Sequence, residues 1–250
     1  MASNIIDAAG LLKKYRNFTK SRKYKEATYI KTELTDLIKN HIDTTAQQVR
    51  LFGVKLRNDN LFLESILIFD SASTLSENIK DAEEKLKIIQ FCVAGMMNAN
   101  KLMIKDDAEM KVIVKEYVIP LMHGKLHYME SMSAVSKQYK CLQVSCVLHH
   151  IELSQGQVDQ LKEREQTLRE GLKRMDEVFG ENKIKHLIYG ALLNNLGVIC
   201  LNTSRYDEAA SFFRQTVITS KAATDYDDEK KRKHDIERGE ENLRRVENIT

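Results

Sequence analysis

The chain has 250 residues, 42% of them hydrophobic and 30% charged, which is enough for a sizeable core and excludes wholesale disorder. The formal net charge of +3 gives no global electrostatic reason to expect nucleic acid. One proline and no tryptophan favour long helices with few irregular loops, because proline removes a backbone donor and breaks helices.

Apolar residues recur at spacings of three and four almost throughout. Ile5, Ala8, Ala9, Leu12 and Tyr15 mark the face of a first helix. Tyr24, Ala27, Ile30, Leu34 and Leu37 mark the next, and Asn40 to Asp43 closes the pair. A third helix is expected from Thr44 to Arg57, with Asn58-Asp59-Asn60 as the turn after it. A fourth carries Leu61, Ile66, Ile68, Phe69 and Ala72. Ser76 or Asn78 is then read as the cap of a long helix through Ala82, Leu86, Ile89 and Phe91.

From Asp106 to Gln138 the pattern is harder to read. Met110 to Ile119 is rich in β-branched residues, as a strand would be. It is assigned to a helix because an isolated strand in a helical stack would leave its backbone groups unpaired. Pro120 is expected to end that helix. Ser154-Gln155-Gly156-Gln157 reads as a capping box opening the next helix, which runs to Phe179 and is closed by Gly180-Glu181-Asn182. Asp225 to Asn248 is dense in charge of both signs, with few apolar positions. It is read as a polar-faced helix covering the last unit of a stack, the alternative being a partner-seeking or frayed helix.

One stretch carries the most information. Leu196 and Gly197 lie in an apolar helical run, and Tyr206, Ala209 and Phe213 follow at fixed offsets. Phe52, Gly53, Phe62, Ser65, Phe69 and Ala72 repeat the offsets upstream, and fragments recur at Met96, Ala108 and Pro120 and at Tyr24 to Ala27. This pattern resembles the tetratricopeptide repeat, whose helix pairs span about 34 residues. Cys200, Thr216 and Lys221 depart from it, and the region from Tyr128 to Gly180 matches poorly. The resemblance implies an all-α, right-handed superhelical stack of antiparallel helix pairs, a solenoid of roughly ten to twelve helices. The domains expected are a repeat domain over residues 1–223 and a charged capping helix over 224–250.

The resemblance also implies a function in protein–protein interaction. Asparagines on the first helix of such a unit often face the inner groove and hydrogen-bond the backbone of an extended peptide, a role that suits an amide's donor and acceptor. Asn194 and Asn195, with Arg50 on the third predicted helix, are therefore the candidate peptide-binding residues; the bland alternative is a surface asparagine bonded to its own helix. Val54 and Val198 follow Gly53 and Gly197, where a carboxylate-clamp member of the family carries asparagine in its first unit, and this argues against that clamp.

Seven basic residues and no acidic ones lie between Lys13 and Lys25. Lys13, Lys14, Arg16, Lys20, Arg22 and Lys23 form a candidate basic patch, with Tyr15, Phe18 and Tyr24 interleaved. Such a patch suits phosphates and stacked bases. It suits an acidic protein partner equally, and both tyrosines already fit repeat-packing positions.

Cys92, Cys141, Cys146 and Cys200 are too sparse for a disulfide framework and lack the C-x-x-C spacing of zinc or redox sites, so they read as reduced core thiols. Cys146 with His149 and His150, joined by Cys141 or His127, shows no recognisable zinc spacing, and no metal is assigned. Gly-rich phosphate loops, nucleophile elbows and H-E-x-x-H are missing from the sequence. The N-terminus is read as neither a signal peptide nor a myristoylation site, and no apolar run reaches the ~18 residues of a membrane span. The expectation is a non-catalytic adaptor without cofactor, cytoplasmic or nuclear, holding a peptide or helix of another protein in its groove. A nucleic-acid-binding repeat and a structural subunit of a larger complex are the alternatives.

Overall fold

The structure is a computed structural model, and it describes residues 46–104 and 108–249 together with Thr32. The first two expected helices, the Tyr24 to Ala27 fragment and the basic patch from Lys13 to Lys23 lie outside the described residues. The fold is all-α, and each helix packs mainly on its neighbours in sequence. The chain divides into two compact units, Met1–Ala134 and Val135–Thr250.

In the first unit the described helices are α1 (Ala46–Asn58), α2 (Phe62–Leu75), α3 (Ala82–Met103), α4 (Ala108–Ile113) and α5 (Ile119–Ser131). The second unit contains α6 (Lys137–Gln157), α7 (Leu161–Phe179), α8 (Leu187–Asn202), α9 (Tyr206–Ala222) and α10 (Glu229–Glu247). α2 is buried almost along its whole length, between α1 and α3. Its Phe69 is fully buried, and its Asp70 carboxylate, also fully buried, is paired 2.8 Å from Lys125 Nζ on α5.

Three turns share one geometry. Asn60, Asp159 and Ser204 adopt left-handed backbone, with φ of 62°, 60° and 58°. The amide of the following residue (Leu61, Gln160 and Arg205) donates to the carbonyl five residues back, at 2.9, 3.0 and 2.8 Å. This arrangement satisfies carbonyls that a helix end would otherwise orphan. The next helix then begins one residue later, at Phe62, Leu161 and Tyr206. The pairs α1–α2, α6–α7 and α8–α9 are therefore three copies of one helix–turn–helix.

Three local expectations fail. Ser154 does not open a helix: it lies in the last turn of α6, with its hydroxyl donating to His150 O at 3.1 Å, and the chain turns at Asp159 instead. Asp81, rather than Ser76 or Asn78, caps α3, its Oδ1 accepting from the amides of Glu83 and Glu84 at 2.9 Å each. Pro120 does not end the helix that precedes it. A π-helical turn over Val114–Val118, with the Ile119 amide bonded to Val114 O, joins α4 to α5 across the proline. The wider turn supplies the room a proline ring needs against the carbonyl four residues back.

Candidate functional site

Close backbone approach sets the geometry of the matched pairs. A Cβ on Gly197 would lie 2.6 Å from Phe213 Cε1, and one on Gly53 would lie 3.0 Å from Phe69 Cε1. In α1–α2 the Ser65 hydroxyl also donates to Gly53 O at 2.8 Å. The following first helices approach as closely. A Cβ on Gly95 would run into the Phe69 ring, and one on Gly239 would meet Val217 Cγ2 at 3.0 Å. Gly53 and Gly95 are forty-two positions apart, as are Gly197 and Gly239. The spacing between successive first helices at these two places is therefore longer than the 34-residue period of the sequence resemblance.

The shared turn fixes the register of the third pair. Counting back seven residues from the left-handed residue gives Gly53, Gly197 and Glu152; counting forward five gives Ser65, Ala209 and Arg164. A buried ion pair thus replaces two small residues in α6–α7. Glu152 is fully buried, and its Oε2 accepts from Arg164 Nε at 2.7 Å. His149 Nδ1 lies 3.1 Å from its Oε1. Burial pushes the Glu152 carboxyl up. The hydrogen bond and charge of His149, with the charge and hydrogen bond of Arg164, outweigh that and leave it below the usual carboxylate range.

A polar row continues from this pair across three first helices. Asn195 on α8 donates through Nδ2 to Glu152 Oε1 on α6. Asn194 Nδ2 donates to Asn195 Oδ1 at 3.2 Å. Asn242 Nδ2 on α10 donates to Asn194 Oδ1 at 3.1 Å, and both residues are buried. The two predicted asparagines therefore lie together in one network, bonded to other helices rather than only to their own. Asn195, which is half-buried, retains a second N–H and a second lone pair for further hydrogen bonds. Arg50 lies in the other unit, at the register position of Asn194 and His149, with its guanidinium carbon 5.2 Å from the centroid of the Phe91 ring. The sequence reading missed Glu152, Arg164 and Asn242. The twelve-residue spacing of Glu152 and Arg164, the same as that of Gly53 and Ser65, was the available signal for the first two.

The cysteines are held as thiols. Burial, with a smaller push from Asp225, raises Cys146 to about 12. Burial also raises Cys92 to about 12 and outweighs Arg50 and Lys125 nearby. Burial pushes the His150 imidazole down to about 3, with His149 acting in the same direction. A protonated thiol beside a neutral imidazole is not an activated nucleophile. His127 lies in the first unit, and Cys141 Sγ lies 3.8 Å from Met175 Sδ. Among the described residues no three His, Cys, Asp or Glu side chains converge as a metal site, and no single helix is long and apolar enough to cross a membrane.

No family model matches the sequence, and no curated protein does. Among solved structures, the chain is similar to that of BtubC (BKLC) from P. vanneervenii, with a TM-score of 0.45 and 12% identity over 99% of this chain and 90% of that one.

Proposed function

We propose that the protein is a non-catalytic adaptor of the tetratricopeptide type, holding a peptide or helix of a partner protein against the first helices of its pairs. One observation carries this reading. The same helix–turn–helix, with the same left-handed turn residue, occurs three times among the described residues and sets polar side chains at one register position on each first helix: Arg50, His149 and Asn194. Within the second unit, His149 and Asn195 are half-buried on successive first helices, and an imidazole and an amide there suit pairing with the backbone of an extended or helical segment. In this reading α10 covers the end of the second unit: Val246 packs into the cluster of Cys200, Ala209, Ala210 and Phe213. Residues 1–223 then act as the binding domain and 224–250 as its cap.

The test is affinity capture from cell lysate with and without nuclease, in parallel with Asn195→Ala. Nuclease-resistant proteins whose recovery falls in the variant support the reading. Recovery that vanishes with nuclease replaces it with nucleic-acid binding through basic residues. Partners retained in full by the variant remove Asn195 from the binding surface.

A further inference from the structure

We propose that the face shared by α1 and α3 docks an acidic segment that carries an apolar side chain; this deepens the adaptor reading and rests on it. Leu51 occupies the register position that Asn195 holds in the second unit, and it is 52% exposed. Phe91 on α3 is 39% exposed, with the Arg50 guanidinium carbon 5.2 Å and the Lys87 ammonium 5.9 Å from the centroid of its ring. Exposed positions on the same face of α3 are Lys87 and Phe91, one turn apart, and Asn98 and Leu102, two turns further on and again one turn apart. One apolar side chain, Phe91, thus stands between two cations.

Among the described residues the charge around Leu51 and Phe91 is mostly positive. α1 carries Arg50, Lys55 and Arg57 and no acidic residue. The acidic residues of α3, Glu83 and Glu84, are exposed in its first turn, one turn before Lys87, where the helix dipole favours them. Those of α2, Glu64 and Asp70, are buried.

These observations decide between occupants. A purely apolar partner would cover Leu51 and Phe91 but take the Lys87 ammonium out of water unpaired, at a cost. A purely anionic one would gain from the cations and leave the two apolar side chains wet. A segment with carboxylates flanking an apolar or aromatic residue satisfies both, and its carboxylates are steered by the surrounding positive potential.

The experiment pans a random-peptide display library on the full chain and measures the affinity of the enriched peptides for variants. The expected peptides are rich in Asp and Glu around an apolar or aromatic residue. Their Kd should weaken about tenfold or more in Lys87→Glu and in Phe91→Ala and change little in Gln215→Ala, an exposed position on α9. Lys87 is solvent-exposed, so an unchanged melting temperature shows that the fold of Lys87→Glu is intact. Enriched peptides without acidic bias, or acidic peptides that bind Lys87→Glu as well as the parent, overturn this site and leave the adaptor reading standing. A library that yields no binders overturns both, and so does a labelled single-stranded oligonucleotide that binds in place of peptides.

Discussion

Gly197 packs so closely on Phe213 that a methyl group on the glycine would enter the ring's van der Waals envelope, 2.6 Å from Cε1. The contact fixes how near α8 and α9 lie to one another. Gly197→Ala is accordingly expected to destabilise the protein by ~1–3 kcal/mol through overpacking, although alanine is the better helix former. Gly124 on α5 is the control, since a Cβ there meets nothing within 4 Å. Gly124→Ala should stabilise by ~0.5–1 kcal/mol. Urea unfolding of both variants reads the opposite signs.

Arg164 is expected to matter more than an ordinary surface arginine. Its partner Glu152 is fully buried, and a buried carboxylate stripped of its cation is costly. Arg164→Ala should lose ~3 kcal/mol or more. In a double-mutant cycle with Glu152→Ala, the two losses should fall short of additivity by ~1 kcal/mol or more. Additive losses would show that the pair contributes nothing as a pair.

The pairs differ in how much of them could be read from the sequence. α1–α2 and α8–α9 were legible because both keep a glycine on the first helix and a phenylalanine sixteen residues on: Gly53 and Phe69, Gly197 and Phe213. α6–α7 was not, because Glu152, Arg164 and Leu168 occupy the corresponding positions, and one ion pair replaces a small–small contact. Ser154 misled for a different reason. A serine followed three residues later by glutamine mimics a capping box wherever it falls, and here its hydroxyl bonds back into its own helix. Pro120 misled because the π turn before it absorbs the ring. Of the site, Asn194 and Asn195 were legible as first-helix amides. Their partners Glu152 and Asn242 were not, because they lie forty-three and forty-eight residues away.

Acid should weaken the fold in two stages. His150 is neutral in the folded protein, where burial holds it at about 3, against 6.5 for an ordinary histidine. The unfolded chain binds the extra proton, so this contribution is fully present above pH 6.5 and is lost as the pH falls toward 3. Glu152, held below the ordinary 4.5, contributes stability that is present above that value and lost as the pH falls through its folded-state pKa. Urea midpoints should therefore decline between pH 6.5 and 4.5, and His150→Asn should flatten that decline. An equal slope in the variant would assign the loss to other groups.

Thiol chemistry gives an independent check on packing. With burial holding Cys92 and Cys146 at about 12, both should react with iodoacetamide at pH 8 far more slowly than the same thiols in urea-unfolded protein. Rapid labelling of either in the native state would contradict the packing around it.

The most direct test of the central claim, that partners bind on the first helices, is site-specific photo-crosslinking in cells. A photoreactive residue replaces Val198, half-buried on α8, or Gln215, exposed on α9. A discrete protein crosslink is expected from position 198, lost in lysates denatured before irradiation, and none of matching size from position 215. Crosslinks to the same partner from 215 alone would place binding on the second helices instead.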